Sequence, residues 1–306
     1  MTRTIWKDAQ FLPESEARVS IYDSALMFGD MVFEMLRTFN KKPFKLDEHL
    51  DRLYSSAKSV DIDIPYSKPE LYEAHESLLI ENRNAFESDD EIRSLINVSR
   101  GTLPLYANMG LPMGPSVMMA CFPLRWIIKG AYALYQEGVH GLVTEQLAVP
   151  ARFIDPKIKN RSRLHYRMAE LKAKQSDPKS WAILLDDQGF IAEGAGSNFF
   201  MVKNRIVHTP EGRNCLRGIS RGTVADLCRK NQIEYRELNI EPYDVINADE
   251  AFFTCTPYSI LPCTKFNFKP VGDGKVGKLT KRLTNLWSES VGCHFVEQAR
   301  QWDSTV

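Results

Sequence analysis

The apolar residues of this chain switch repeatedly between a period near two and a period near four, which commits it to a mixed α/β architecture. Leu46, Leu50, Leu53, Ala57 and Val60 recur at helical spacing, so 46–60 reads as an amphipathic helix. Before it, Ala17–Ile21 and Asp30–Thr38 read as extended segments, with turn signals at Asp23, Ser24 and Gly29 between them. A second helix is expected over 68–84, followed by strands near 92–99 and 116–122. Residues 123–133 fit a connector between domains. Beyond it, Val143–Val149 and Ala182–Leu185 are strand candidates, and Phe190–Ala192 follows a turn through Asp186–Gly189. Asn198–Val202 and Arg205–His208 form a hairpin, and helices are expected over 162–175, 220–232 and 277–291. The pattern describes a small N-terminal α/β domain (1–122) and a larger mixed domain (134–306), meeting at a crevice where ligand sites commonly lie.

The 306 residues suffice for two modest domains. Lysine plus arginine and aspartate plus glutamate both number 39, so no net charge argues for nucleic acid or an anionic membrane as partner. No apolar run approaches the roughly 18 residues of a membrane span. The N-terminal MTRTIWKDAQF lacks the apolar stretch of a secretory signal, so the expected location is cytoplasmic. Six cysteines without a CxxC pair then read as reduced residues, and His294 beside Cys293 makes a poor chelate, so no metal is expected.

The best anion signal is Leu216-Arg217-Gly218-Ile219-Ser220-Arg221, leading into a helix with Val224, Leu227 and Cys228 on its apolar face. Ser220 sits where an N-cap belongs, and a glycine just before a helix start lets backbone N–H groups converge on phosphate. A plain, well-capped loop would look the same. Glu193-Gly194-Ala195-Gly196-Ser197-Asn198 lets backbone pass close to something flat or bulky, or is an ordinary β-turn with an exposed glutamate. Lys159 precedes a helix carrying Leu164, Met168 and Leu171. Burial or a positive neighbour would make it a nucleophile, although Lys157 has equal standing on composition. Arg52 lies beside the apolar stripe of the 46–60 helix, where a solvated arginine is the ordinary outcome.

These segments occur in a telling order: GD-x-VFE-x-L-R, H-L-x-R-L, K-x-x-x-R-L, EGAGSN-F-F, L-x-GIS-R and T-x-T-P-x-x-I-L-P, ending in GDG. From about residue 18 to about 285 the chain resembles the class IV aminotransferases, which include branched-chain and D-amino acid aminotransferases and aminodeoxychorismate lyase. The resemblance implies a fold type IV pyridoxal 5'-phosphate enzyme of the D-amino acid aminotransferase-like fold, with a β-barrel-like large domain, acting as a homodimer. It implies Lys159 as the Schiff-base lysine and proton carrier, and Glu193 as partner of the pyridine nitrogen. Arg52 would hold the phosphate bidentately, with the backbone of Ile219 and Ser220 and the Thr256 hydroxyl completing the cup. Gly196, Asn198, Leu216 and Gly218 would also contact the cofactor, Leu216 against one ring face.

By the same resemblance Phe28, Phe33, Met35 and Arg37 line the substrate cavity, and Arg93 matches an arginine that reads the side-chain carboxylate of glutamate. A strand arginine facing solvent is the plain alternative for Arg93. Three positions depart from the branched-chain pattern. Leu164 and Phe28 stand where tyrosines are usual, and Pro257, which has no N–H, follows the cup threonine. The D-amino acid enzymes carry an arginine and histidine trap after an RGT segment; here Arg100-Gly101-Thr102 continues Leu103-Pro104-Leu105-Tyr106, without it. The expected reaction is transamination between a hydrophobic L-amino acid and a 2-oxo acid such as 2-oxoglutarate, with Arg37 or Arg93 compensating for Pro257. The alternatives are a D-amino acid or (R)-amine transaminase and, next, aminodeoxychorismate lyase.

Overall fold

The computed structural model describes residues 2–304, which contacts divide into two units. One runs to Ile127 and takes back Ile158–Arg163; the other comprises Ile128–Lys157 and the residues from Leu164 onward. The division after Ile127 falls inside the segment read as a connector. The return of 158–163 cannot be seen in chain order, because hydrogen bonds make it. Phe33 N–H donates to Lys159 O at 2.9 Å, and Arg161 N–H donates to Met31 O at 2.8 Å.

The first unit is built on a six-stranded antiparallel sheet. Its order is Gln10–Pro13, Thr4–Lys7, Ser116–Pro123, Ile92–Ser99, Met31–Phe39 and Lys42–Pro43. Alternation along Met31–Phe39 turns Val32, Glu34 and Leu36 to one face and Phe33, Met35 and Arg37 to the other. Val32 and Leu36 join one core cluster with Leu46, Leu50, Leu53 and Ala57 of the helix Leu46–Ser59. Burying a leucine such as Leu50 or Leu53 is worth about 1.5–3 kcal/mol, which pins this helix to the sheet. The helix Lys68–Asn82 starts with a capping box in which Ser67 and Glu70 satisfy each other's backbone N–H groups.

Two expectations for this unit are corrected. No strand forms over Ala17–Ile21, which lacks a pairing partner. The turn signals of Tyr22–Gly29 are the caps of a short helix, Ser24–Phe28: Asp23 Oδ1 accepts from Ala25 N–H at 2.8 Å, and Gly29 ends it at φ +67°.

The second unit carries a nine-stranded mixed sheet. Its order is Tyr235–Leu238, Ile206–Pro210, Asn198–Lys203, Glu250–Cys255, Ser259–Phe266, Val139–Val143, Ser180–Leu185 and Ile191–Gly194, with Lys269–Pro270 beside Ser259–Phe266. Val139–Val143 runs parallel to both its neighbours. The two ends of the order meet, since Ile191 N–H donates to Ile240 O, just past Tyr235–Leu238, at 2.8 Å. This is the barrel-like closure expected. Alternation sends Phe199, Phe253 and Phe266 to one side of the sheet and Phe200 and Phe252, stacked at 4.8 Å, to the other, and all five are fully buried. The strand expected over Val143–Val149 occupies Val139–Val143 instead. His140 and Gly141 hide it in the sequence, yet His140 is buried, its Nδ1 2.8 Å from Asp177 Oδ2. Among the described residues no helix is long and apolar enough to cross a membrane.

Candidate active site

In the first unit, the ribbon 158–163 lays Lys159 beside the strand Met31–Phe39. Ile158 packs into the core cluster, and Lys159 N–H donates to Ser56 Oγ at 3.1 Å. With its backbone fixed at both ends, the side chain sends Nζ to 4.7 Å from the centroid of the Phe33 ring. Lys157, its rival by composition, pairs with Asp155 at 2.8 Å.

On the other face of the same strand, Glu34 is fully buried and accepts from Arg52 Nε at 2.6 Å and Arg52 Nη2 at 2.8 Å. His49 Nδ1 lies 2.7 Å from its second oxygen. Burial by itself would raise the Glu34 pKa, but the Arg52 charge beside it, aided by His49, brings it down to about 2. Burial holds the His49 pKa below its ordinary value, against the pull of Glu34. Glu34 is therefore a permanent anion that fixes Arg52. One fork of Arg52 is spent on Glu34.

The expected substrate residues part company. Cross-strand pairing sets Phe33 opposite Asn97, Met35 opposite Leu95 and Arg37 opposite Arg93, on one face of the sheet. Arg93 Nη2 donates to Met35 Sδ at 3.3 Å. Arg37 is only 2% exposed, with its guanidinium over Phe39 and its Nε on the Thr38 carbonyl. Phe28, at the end of its short helix, is 65% exposed. Arg100 ties Asp30 and the carbonyls of Val60 and Asp61 together, a structural task.

In the second unit, Glu193 is the penultimate residue of the strand Ile191–Gly194 and only 5% exposed. Its Oε1 accepts from Tyr166 O–H at 2.5 Å and its Oε2 from Leu216 N–H at 3.0 Å, both neutral donors. A buried carboxylate is a suitable partner for a cationic N–H. Asn198 Nδ2 donates to the Leu216 carbonyl at 2.8 Å, while its Oδ1 lies 2.1 Å from where a Cβ on Gly218 would sit. A Cβ at Gly218 would displace the Asn198 amide, and the chain turns there into the helix Ile219–Lys230.

Gly218, not Ser220, is the N-cap; Ser220 lies in the first turn. The N–H groups of Ile219 and Ser220 find no acceptor among the described residues. Two converging donors at the positive end of a 12-residue helix suit a phosphate. Gly196 occupies the turn between Ile191–Gly194 and Asn198–Lys203, and Thr256 and Pro257 the turn after Glu250–Cys255. The acid and the anion cup of the second unit, and in the first unit the lysine beside an aromatic ring, are each groups that suit pyridoxal phosphate.

A family model described as "Amino-transferase class IV" matches residues 31–266. The chain belongs to that family. It is a pyridoxal-phosphate-dependent aminotransferase of fold type IV. The aminotransferase is 33% identical over 288 residues to a putative branched-chain-amino-acid aminotransferase of Methanocaldococcus jannaschii, covering 93% of this chain and 95% of that one. It is 31% identical to a D-alanine aminotransferase of Bacillus licheniformis, with the same coverages. Among solved structures it resembles the branched-chain amino acid aminotransferase of Escherichia coli, at TM-score 0.83 and 28% identity, covering 93% of each chain. A branched-chain amino acid aminotransferase of T.th., solved with pyridoxamine 5'-phosphate, superposes at TM-score 0.84 and 28% identity, covering 95% of this chain and 94% of that one.

Sequence reading missed Glu34, His49 and Tyr166. Glu34 lies in the GD-x-VFE run and His49 in H-L-x-R-L, so the motifs contained them without disclosing that they meet. Tyr166, two residues past Leu164, had only its aromatic character to signal it.

Proposed function

We propose that this aminotransferase moves the amino group of a hydrophobic, branched-chain-type L-amino acid to a 2-oxo acid such as 2-oxoglutarate. The sheet face beside Lys159 carries the reading. Phe33, Met35 and Leu95 give it apolar surface, and Arg93 and Arg161 give it fixed positive charge. An apolar side chain that ends in a carboxylate matches both features. The branched-chain names borne by the relatives support the same class.

Pyridoxal phosphate, when bound, supplies an electron sink for the charge left on the substrate α-carbon. Lys159 Nζ anchors the cofactor and then carries the α-proton, a task suited to a residue whose backbone is held by Ser56 and whose amine lies by the Phe33 ring. Glu193, fixed by Tyr166 and Leu216, keeps a proton on the ring nitrogen. Arg52, the Ile219 and Ser220 N–H groups and Thr256 hold the phosphate, while Gly196, Asn198, Leu216 and Gly218 shape the cup. Phe28 and Pro257 belong to the substrate wall in this reading, and Arg37 lies beyond Met35 on the same sheet face.

A homodimer is part of the proposal, since Ile21, Leu26, Phe28 and Leu105 leave apolar surface exposed on the first unit. A cytoplasmic location agrees with six free, buried cysteines.

Loading the enzyme with pyridoxal phosphate and adding one amino donor without acceptor tests the substrate class. L-leucine is expected to discharge the visible cofactor band at least roughly 100-fold faster than D-alanine, a difference of about 2.7 kcal/mol. The reverse order would favour a D-amino acid transaminase, the reading supported by the D-alanine aminotransferase relative at 31% identity.

A further inference from the structure

Arg161 lies two residues beyond Lys159, and its guanidinium carbon sits 3.7 Å from the centroid of the same Phe33 ring that Lys159 Nζ approaches. Its Nε and Nη2 both donate to Asn97 Oδ1, at 3.1 and 2.8 Å. Asn97 is the cross-strand partner of Phe33, so ring and amide belong to one rigid patch of sheet. The guanidinium is thereby held in a fixed plane by neutral groups alone. Among the described residues no carboxylate pairs with it, and its Nη1 has no partner.

The charges around Arg161 have its own sign. Burial first, then the neighbouring Arg163 and Arg93 guanidiniums, push its pKa down to about 10. An ordered, half-buried cation beside two other cations is costly unless an anion completes it. The rest of the patch, Phe33, Met35 and Leu95, is apolar and strengthens any ion pair formed there. Asparagine at position 97 orients the arginine without neutralising it, as an aspartate would.

We infer that Arg161, flanked by Arg93, binds a carboxylate of the substrate and so decides which acids reach Lys159. This rests on the transaminase reading above and deepens it. Arg161 offers a charged donor beside the reacting amine, whereas Arg37 is turned away onto Phe39 and the Thr38 carbonyl. The group bound is either the carboxylate next to the amine, which every amino acid has, or the second carboxylate of a dicarboxylic acid. The chemistry of recognition is the same.

The test is calorimetric titration of the holoenzyme with two unreactive acids, 4-methylvalerate and glutarate. The wild type is expected to bind at least one, and Arg161→Gln to weaken that binding roughly 30-fold. Asn97→Asp keeps the arginine but gives it a carboxylate of its own, and is expected to weaken binding roughly 10-fold. Loss for both acids identifies the carboxylate next to the amine; loss for glutarate alone identifies the second one. In turnover the loss should fall on KM far more than on kcat. The inference is overturned if the wild type binds neither acid. It is equally overturned if both variants bind as the wild type does while melting at its temperature. Titration needs no turnover, so a failure of the transaminase reading would show separately, as absence of donor-dependent discharge in the wild type.

Discussion

Replacing Lys159 with alanine is expected to lower kcat/KM for transamination by roughly 10⁴-fold or more while leaving the fold intact. In the proposed function two tasks rest on this one amine, anchoring the cofactor and carrying the proton, and they set the size of the effect. The fold survives because the segment is held by its backbone and by Ile158. The bonds from Lys159 N–H to Ser56, from Phe33 N–H to Lys159 O and from Arg161 N–H to Met31 O all remain in the variant. Steady-state kinetics with a thermal melt decides the matter: a large loss of rate at an unchanged melting temperature is expected. Lys157→Ala, removing a lysine paired with Asp155, is expected to change the rate less than about threefold.

Glu34→Ala should produce the largest loss of stability of any substitution near the site, about 3–5 kcal/mol in urea unfolding near neutral pH. The carboxylate is fully buried between Arg52 and His49, and its removal strands the Arg52 charge against the core cluster of the first unit. Glu34→Gln keeps the shape and should cost less. The pH dependence has a definite sign. The folded-state pKa lies near 2, below the ordinary 4.5, so the unfolded chain takes up the proton first as pH falls. Stability from this group is fully present above about 4.5 and drains away between there and about 2, by about 3 kcal/mol in all. Glu34→Gln removes that component of the acid slope; an unchanged slope in the variant would place the origin of acid sensitivity elsewhere.

Strong periodicity made much of the fold legible. The leucine repeat of 46–60 became the helix Leu46–Ser59, and Asp30–Thr38 became the strand Met31–Phe39. Local pattern failed where tertiary partners decide. Val139–Val143 is a strand despite His140 and Gly141 because parallel neighbours flank it on both sides. Ala17–Ile21 has strand-like residues and no neighbour, so it stays irregular. For the proposed site, ordered motifs point to Lys159, Glu193 and the Gly218–Ser220 turn. The residues that position them could not be named this way, because Glu34 meets Arg52 and Arg161 meets Asn97 only after the sheet has formed. Arg161 in particular follows the motif lysine as one polar residue among several, and only the Phe33 ring and the Asn97 amide distinguish it.

The central claim is that Lys159 is the lysine joined to the cofactor. Borohydride reduction of the pyridoxal-phosphate-loaded enzyme, followed by peptide mapping in a mass spectrometer, tests it most directly. The account predicts one pyridoxyl-modified peptide, carrying the label on Lys159. A label on Lys157 or any other lysine in its place, or no label on a protein that visibly holds the cofactor, would contradict it.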